Sequence, residues 1–188
     1  MTKNVCLIGD SICGGYREIV KRELSGEATL WTPDKNGCTS GNVLKNINDW
    51  VLSRRPDVVH FNCGLHDLKR RRGKIVVPVD EYSENMGAIC KALSELDGCV
   101  AIWAATTPVN EAWHHENKGS DRLEKDVELY NRRALEVVRA YGFPVNDLFT
   151  LVNERGRNKL LRSDGVHFEE EGCEILGMQV AEVIRGLL

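Results

Sequence analysis

The sequence predicts an α/β protein: a three-layer α/β/α sandwich of flavodoxin-like topology around a central parallel sheet of about five strands. Short apolar runs of strand length recur along the chain, and amphipathic segments of helix length fill the intervals between them. The 188 residues contain no internal repeat and no linker-like segment, and 42% of them are hydrophobic. A chain of this length and composition predicts a single globular domain over residues 1–188.

Five apolar runs are predicted as the strands of the sheet. They occupy residues 5–8, 28–31, 58–61, 100–105 and 143–145. The first, third and fourth runs lack alternating polar residues, which is typical of strands covered on both faces. Because parallel strands need a crossover connection, the segments between these runs are expected to contain helices.

Five amphipathic stripes are predicted as helices on both faces of the sheet. They run over residues 12–24, 43–51, 82–96, 123–141 and 176–187, and the fourth ends before Gly142. Two stretches, residues 69–78 and 110–121, show no such pattern and are predicted as irregular loops. Both follow predicted strands, so we expect them to border the ligand cleft, which lies beyond the carboxyl ends of the strands.

Composition narrows the classes of function. A net charge of −3 at pH 7 gives no sign of a nucleic-acid partner. The apolar run near the N-terminus is too short for a membrane span or a signal-peptide core, so we expect a cytoplasmic protein without a membrane partner. Seven cysteines without a CxxC pair fit reduced thiols better than disulfides. The sequence leaves the oligomeric state open.

The turn after the first strand, in CLIGDSICGGY at residues 6–16, allows two interpretations. Its glycines are loosely similar to a dinucleotide-binding loop, but Ser11 stands where that motif needs its second glycine, and Asp10 would repel a phosphate. A serine between a strand and a helix is instead exposed beside free backbone N–H groups, which favours a nucleophile. The simpler alternative is a helix-capping serine.

A second polar turn, in LLRSDGVHFEEEG at residues 160–172, supplies groups that can activate a serine. Asp164 and His167 are three residues apart around Gly165, so the carboxylate is expected to bind one imidazole nitrogen and leave the other free as a base. The order Ser, Asp, His along the chain is one that hydrolases use. Taken alone, the turn is also compatible with a capping aspartate and a surface histidine.

Four motifs together resemble the four sequence blocks of the SGNH hydrolases, also called GDSL lipases and esterases. They are GDS at residues 9–11, NGCTSGN at 36–42, NCGLHD at 62–67 and SDGVH at 163–167. The resemblance implies a Ser11 nucleophile, a His167 base oriented by Asp164, and no cofactor. It also implies that the backbone N–H groups of Ser11 and Gly41 stabilise the oxyanion.

The third block departs from the family pattern at one position. The family has G-x-N-D, in which the Asn side chain is the third oxyanion donor, whereas this chain has His66 at that position. A neutral imidazole can replace the amide as an N–H donor. We therefore predict that His66 is the third donor, and the alternative is a buried histidine bonded to the backbone.

Cysteine and metal chemistry are less favoured by the pattern. Cys13 and Cys38 lie near the predicted site, but Cys13 is expected to pack inside its helix. His60, Cys63 and His66 have the spacing of metal ligands, yet positions 60 and 63 face opposite sides of a strand. We therefore predict no structural metal.

Together these features predict a serine carboxyl-ester hydrolase that acts through an acyl-serine intermediate on a small polar ester, such as an O-acetylated carbohydrate. Asp10, Arg70, Trp113 and His114 are the predicted substrate-binding residues. The alternatives are a lysophospholipase or thioesterase, a catalytically silent binding module, and a nucleotide-binding flavodoxin-like domain. The basic run at residues 69–72 is interpreted as a solvated face, with contact to an anionic substrate as its alternative.

Overall fold

The fold is built on a five-stranded parallel sheet, as seen in a computed structural model that describes residues 2–188. In spatial order its strands are β2 (Ala28–Trp31), β1 (Lys3–Ile8), β3 (Val58–Phe61), β6 (Val100–Ala104) and β7 (Val145–Asn146). All neighbouring strands run parallel, with Val5 beside Val58 and Val58 beside Val100. This is the flavodoxin-like strand order, and it confirms the predicted fold class.

Within the described residues, eight α-helices accompany the sheet. They are α1 (Ser11–Glu23), α2 (Ser40–Trp50), α3 (Val79–Ser94), α4 (Glu111–Asn117), α5 (Glu124–Ala140), α6 (Leu148–Glu154), α7 (Arg157–Leu160) and α8 (Glu170–Arg185). The direction of strand addition reverses after β2, so right-handed crossovers place α1 on one face and α2, α3 and α5 on the other. Accordingly α1 packs on α8, while α2 packs on α3 and α3 on α5.

The core lies between these layers. The last four residues of β1 and all four residues of β3 are buried, because helices cover both faces of the sheet. This burial explains why the two segments lack polar alternation in the sequence. Each long helix buries one apolar stripe; α8, for example, turns Leu176, Val180 and Ile184 inward.

The two stretches predicted as irregular loops contain short regular elements, so that prediction was wrong in detail. A hairpin joins β4 (Arg70–Arg71) to β5 (Lys74–Ile75), and α4 occupies most of residues 110–121. Helix α4 has seven residues and buries only His114, so it leaves no apolar stripe to recognise. The short α6, α7 and 3₁₀ turn (Leu52–Arg54) were missed for the same reason.

The carboxyl ends of the five strands share one edge of the sheet, which we call the rim. Helices α1 and α8 begin at the rim and run away from it. At the opposite end of the molecule, Arg185 in the last turn of α8 donates to the Glu27 carboxylate and to the Glu23 carbonyl at the end of α1. Across residues 2–188, no helix combines the length and apolar character that crossing a bilayer requires.

Candidate active site

Ser11 is the first residue of α1 and follows β1 by way of Gly9 and Asp10. The Asp10 side chain caps the helix, since its Oδ1 accepts a hydrogen bond from the backbone N–H of Ile12 at 2.9 Å. The cap is therefore Asp10 and not Ser11, which leaves the serine hydroxyl free for another partner. The Ser11 N–H lies in the first helical turn, where backbone donors have no partner within the helix.

The turn at residues 164–167 is held together by one carboxylate. Asp164 Oδ1 accepts the backbone N–H groups of Val166 at 3.0 Å and His167 at 2.9 Å, while Oδ2 accepts from His167 Nδ1 at 2.6 Å. Gly165 is required between them because its φ is +71°, and a Cβ there would lie 2.3 Å from the Asn110 carbonyl oxygen. The turn is therefore fixed against the start of α4.

The two turns meet at the rim. His167 Nδ1 carries the ring proton and donates a hydrogen bond to Asp164, so Nε2 is the accepting nitrogen. This Nε2 lies 2.9 Å from Ser11 Oγ. Partial burial would raise the pKa of Asp164, but the hydrogen bonds from the His167 side chain and from two backbone N–H groups outweigh it and hold that pKa well below its ordinary value. The structure thus joins Ser11, His167 and an ionised Asp164 into one hydrogen-bonded chain.

Gly41 is the second residue of α2, so its N–H also lacks a partner within the helix. The start of α2 is held by Asp67, whose Oδ1 accepts the Ser40 N–H at 2.9 Å and the Ser40 hydroxyl at 2.6 Å. Asn85 of α3 donates to the same hydroxyl at 3.1 Å. Asp67, in the third motif, therefore positions the turn that carries Gly41.

Asp67 is completely buried, and burial raises its pKa to about 6 even though the hydrogen bonds from Ser40 act to lower it. Both of its oxygens face Ser40, with Oδ2 3.1 Å from the Ser40 nitrogen. Asp67 is therefore not the acceptor that holds the neighbouring His66 ring. Its place in the site is to anchor α2.

His66 lies in the turn after β3 and lines the same cavity as Ser11 and His167. Burial lowers the pKa of the His66 imidazole; Asp10 acts in the opposite direction, and the cation of Arg122 reinforces the lowering. The ring is therefore neutral near pH 7 and carries one N–H. Its role as the third oxyanion donor stays a prediction.

Ser11, His66, Asp164 and His167 open into a cavity of about 210 Å³, whereas Gly41 is not among its lining residues. Several of the lining residues belong to no sequence motif. Besides the predicted Asp10, Ser11, His66, His114, Asp164 and His167, the lining comprises Leu65, Lys69, Lys118, Ser120, Arg122 and Val166. Most of these side chains are polar or charged. The cavity is thus suited to a small polar ligand.

Arg122 is the main residue of the cavity that sequence reasoning missed. It is only 7% exposed, its Nε donates to the Leu65 carbonyl at 2.7 Å, and its Nη1 lies 3.0 Å from His114 Nε2. A guanidinium can only donate, so His114 Nε2 accepts, and His114 Nδ1 donates to the Asp164 carbonyl at 3.0 Å. His114 is therefore a neutral link between Arg122 and the Asp164 turn.

The four predicted substrate-binding residues divide into two pairs. Asp10 and His114 line the cavity, although His114 is buried and both of its nitrogens are bonded to protein. Arg70 and Trp113 do not line it. The Arg70 guanidinium is paired with Asp126 at 2.7 and 3.0 Å, and Trp113 packs against the core beside the α4 cap. The structure therefore places these two side chains outside the cavity.

Cys13 and His60 are both buried in the core and do not line the cavity. Burial raises the pKa of the Cys13 thiol to about 12, which removes it as a nucleophile near neutral pH. The His60 ring is fully buried and contacts Asn146 at 3.1 Å. In residues 2–188 no three His, Cys, Asp or Glu side chains are grouped as metal ligands, and all seven cysteines are free thiols.

Comparison with known proteins gives consistent relatives. The isoamyl acetate-hydrolyzing esterase 1 homolog of Mus musculus is 30% identical over 134 residues, which are 67% of this chain and 54% of the mouse protein. The Homo sapiens homolog is 25% identical over 168 residues, covering 85% of this chain and 65% of the human protein. This chain thus spans between half and two thirds of the length of these relatives.

Solved structures show the same fold. A lipase/acylhydrolase from Enterococcus faecalis superposes with a TM-score of 0.83 at 26% identity, over 98% of this chain and 96% of that one. The acetyl xylan esterase AlAXEase has a TM-score of 0.77 at 18% identity, over 96% and 99% of the two chains. The second likeness is one of fold alone.

The resemblance seen in the four motifs extends to the chain as a whole. The sequence model of the GDSL-like Lipase/Acylhydrolase family matches residues 7–175, a span that includes the Ser11 turn, the start of α2, the His66 turn and the Asp164 turn. The matched span covers most of the chain. The protein is therefore a member of the GDSL-like lipase/acylhydrolase family.

Proposed function

We propose that this protein is a serine carboxyl-ester hydrolase that forms an acyl-serine intermediate. The observation that carries the proposal is the continuous hydrogen-bonded chain from Ser11 Oγ to His167 Nε2 at 2.9 Å and from His167 Nδ1 to Asp164 Oδ2 at 2.6 Å. A neutral imidazole in this tautomer can take the serine proton, and the ionised Asp164 stabilises the imidazolium that results. Membership of the family supports the same chemistry.

The proposed reaction has two halves. Ser11 Oγ attacks the ester carbonyl carbon while His167 Nε2 takes the hydroxyl proton, and the resulting tetrahedral oxyanion collapses and breaks the bond to the alcohol oxygen. His167 gives the proton that it took from Ser11 to the departing alkoxide. Water, deprotonated by His167, then attacks the acyl-serine carbonyl carbon. The second tetrahedral intermediate breaks its bond to Ser11 Oγ, His167 returns the proton to that oxygen, and the acid is released. The proposed oxyanion donors are the N–H groups of Ser11 and Gly41 and the neutral ring of His66.

Cavity size and lining support a short acyl group on a polar alcohol. The cavity has about 210 Å³, and Leu65 and Val166 are the two apolar residues among those that line it. A long acyl chain would need a much larger apolar channel to leave water. We therefore propose small polar esters, such as O-acetylated carbohydrates, as substrates. The mouse and human relatives are named for isoamyl acetate, which is also an acetyl ester.

Replacing the nucleophile tests this proposal. Ser11→Ala is expected to lower kcat on p-nitrophenyl acetate by about 10³-fold or more, because the acyl-enzyme can no longer form. The same variant should lose labelling by a fluorophosphonate probe, measured by intact-protein mass. Turnover on acetyl esters should exceed turnover on octanoyl esters in the unmodified protein.

The matched control is Ser25→Ala, which removes an exposed serine beyond the end of α1 and should keep full activity and labelling. Equal ester hydrolysis by Ser11→Ala and the unmodified protein would overturn the mechanism. Absence of both labelling and turnover in the unmodified protein would instead indicate a silent binding module. A preference for octanoyl esters would overturn the substrate class but not the mechanism.

A further inference from the structure

A second depression, which we call the basic groove, adjoins the catalytic cavity. It has a volume of about 630 Å³ and shares Lys69, Lys118 and Ser120 with the cavity. Arg71, Arg72 and Gly119 complete its lining. Four of these six residues are cations and none is a carboxylate. The groove and the cavity thus form one continuous recess with a positively charged outer part.

One wall of the basic groove is the β4–β5 hairpin. Its two-residue turn, Arg72–Gly73, has positive φ at both positions (+50° and +76°), which is the geometry of a tight hairpin turn. The four residues of the basic run are therefore not equivalent. Arg70 is neutralised by Asp126, whereas Lys69, Arg71 and Arg72 line the groove.

The other wall is the segment at residues 118–120, and the backbone fixes it to the hairpin. The Arg70 N–H donates to the Asp121 carbonyl at 2.8 Å, and the Asp121 N–H donates to the Arg70 carbonyl at 3.0 Å. The Asp121 carboxylate is engaged elsewhere, since its Oδ1 lies 2.6 Å from His115 Nδ1. The basic groove is thus a built recess between two tied segments.

The charges of the basic groove are largely uncompensated. Over residues 2–188, Lys69, Arg71, Arg72 and the buried Arg122 behind them make no ion pair, while the Lys118 ammonium pairs with Asp164 at 3.7 Å. Burial lowers the pKa of Lys69, and the neighbouring cations Arg122, Arg71 and Lys118 lower it further. A protein of net charge −3 therefore concentrates positive potential at the entrance to its cavity.

Geometry also indicates which half of an ester occupies the basic groove. The departing alkoxide takes its proton from His167, so the alcohol half must lie on the imidazole side of the cavity. Lys118 places the groove on that side, because its Nζ lies 3.7 Å from the same Asp164 oxygen that binds His167. The groove has three times the volume of the cavity, about 630 against 210 Å³, which suits the larger half of the substrate.

We propose that the natural substrate is an acyl ester of an anionic alcohol, such as an O-acylated sugar acid, whose negative group binds Lys69, Arg71, Arg72 and Lys118 in the basic groove. This inference rests on the proposed ester hydrolysis and narrows its substrate class. Lys and Arg side chains bind carboxylate, phosphate and sulfate oxygens, and on a sugar alcohol we test the carboxylate and the sulfate.

Matched substrates test the inference. A methyl hexuronoside acetylated at one ring hydroxyl is compared with the same compound in which the carboxylate is a primary amide, so that only charge differs. Each ring position is tested in turn, and an acetylated sugar sulfate forms a third arm. We expect kcat/KM to be about tenfold higher for an anionic arm at about 0.01 M salt, and the ratio to approach one at about 1 M, where charges are screened beyond about 3 Å.

Neutralising the hairpin provides the second measurement. The double variant Arg71→Gln/Arg72→Asn keeps a residue that tolerates positive φ at position 72, and it should lower the anionic-to-neutral ratio of kcat/KM severalfold. The matched control is Lys74→Gln/Lys91→Gln, which also removes two positive charges, at exposed positions outside the groove. It should leave the ratio almost unchanged.

Each outcome decides between the claims. A ratio near one at low salt for every position and both anions would overturn the inference while the proposed ester hydrolysis stands, and the basic run would then be a solvated face. An equal fall of the ratio in Arg71→Gln/Arg72→Asn and in Lys74→Gln/Lys91→Gln would also overturn it, because the effect would reflect total charge. Failure to hydrolyse any arm by a protein that turns over p-nitrophenyl acetate would overturn this inference alone, and failure on p-nitrophenyl acetate as well would overturn the proposed hydrolysis together with it.

Discussion

Individual side chains at the rim are set by hydrogen bonds whose direction is determined by chemistry. Arg122 can only donate and the Asp164 carboxylate can only accept, so His114 and His167 each have one tautomer available. His114 thus links Arg122 to the Asp164 carbonyl, and His167 links the Asp164 carboxylate to Ser11. The first fixes the backbone of the turn, and the second is the proposed base.

His66 is the residue whose role is most directly testable. His66→Ala is expected to lower kcat on a neutral acetyl ester by about 10²–10³-fold, because one oxyanion donor is lost. His66→Asn restores an N–H donor of the type the family uses and should recover most of that loss. Steady-state kinetics on the purified variants measures both effects.

The control for this substitution is His115→Ala, which removes an exposed imidazole of α4 that contacts Asp121 outside the cavity. It should retain normal kcat. If His66→Ala also retains normal kcat, the ring does not stabilise the oxyanion, and the two backbone N–H groups must suffice.

Sequence patterns reach some of these residues and not others, for a physical reason. Ser11, Asp164 and His167 stand in short contiguous motifs, because a strand end and a tight turn each fix their local geometry. Arg122 has no local signature, since its contacts with Leu65 and His114 arise only when three segments pack together. Arg70 was predicted as a substrate-binding residue but pairs with Asp126 of α5 instead. The sequence of the basic run gives no sign of this pairing, because Asp126 lies far along the chain.

At the scale of elements, α2 depends on a buried carboxylate that belongs to another segment. Asp67 satisfies the Ser40 N–H and hydroxyl at the start of the helix, and the turn it holds presents the Gly41 N–H. An unpaired buried donor costs about 1–3 kcal/mol, so this contact, together with the Thr39 side chain that caps the helix, stabilises the start of α2. Burial in this position raises the pKa of the Asp67 carboxyl group.

The raised pKa of Asp67 predicts that the free energy of unfolding depends on pH. The pKa of Asp67 rises from 3.8 to about 6 on folding, so between these values the folded chain holds a proton that the unfolded chain has lost. Stability relative to Asp67→Asn should therefore fall as pH rises through this window, by up to about 3 kcal/mol. Urea unfolding of both proteins at several pH values gives the difference.

Asp57 provides a control of opposite sign. The Asn4 N–H and the Lys3 ammonium hold the pKa of its exposed carboxylate below the usual value, so its contribution to stability is lost as pH falls. Asp57→Asn should thus change the pH profile in the other direction. A constant difference between Asp67→Asn and the parent protein from pH 3.8 to about 6 would contradict the assignment to Asp67.

The elements themselves were predictable in proportion to their length. The buried strands β1, β3 and β6 and the long helices each bury enough apolar residues to show a period in the sequence. The two-residue strands β4 and β5 and the seven-residue α4 do not, and the run predicted as a strand at residues 143–145 overlaps β7 only at Val145. Their conformations are stabilised by neighbours, as when Asp121 pairs with Arg70 across the hairpin edge.

At the scale of the whole molecule, the pairing of α1 with α8 brings together chemistry from the two ends of the chain. Ser11 begins α1, and His167 lies three residues before α8, so the packing of these helices sets the distance between the two groups. The helices approach closely at Gly177, where a Cβ would lie 2.5 Å from Ile19 Cγ2.

Gly177→Ala tests this arrangement. The added methyl should force α8 away from α1, lowering the free energy of unfolding by about 1–3 kcal/mol and lowering kcat as the Ser11–His167 contact lengthens. Denaturant unfolding and ester kinetics measure the two effects. The control is Gly87→Ala in α3, where a Cβ meets nothing within 4 Å and the alanine should stabilise the helix by about 0.5–1 kcal/mol. Similar results for both variants would mean that the α1–α8 contact is loose.

The direction of α1 and α8 has a practical consequence. Strand β1 starts, and α8 ends, on the side of the molecule opposite the rim, about 24 Å away given the 16 residues of α8. A fusion partner, tag or solid support joined before Lys3 or after Leu188 would project away from the cavity. The immobilised protein would therefore still leave its cavity, with the proposed nucleophile Ser11, open to the solution.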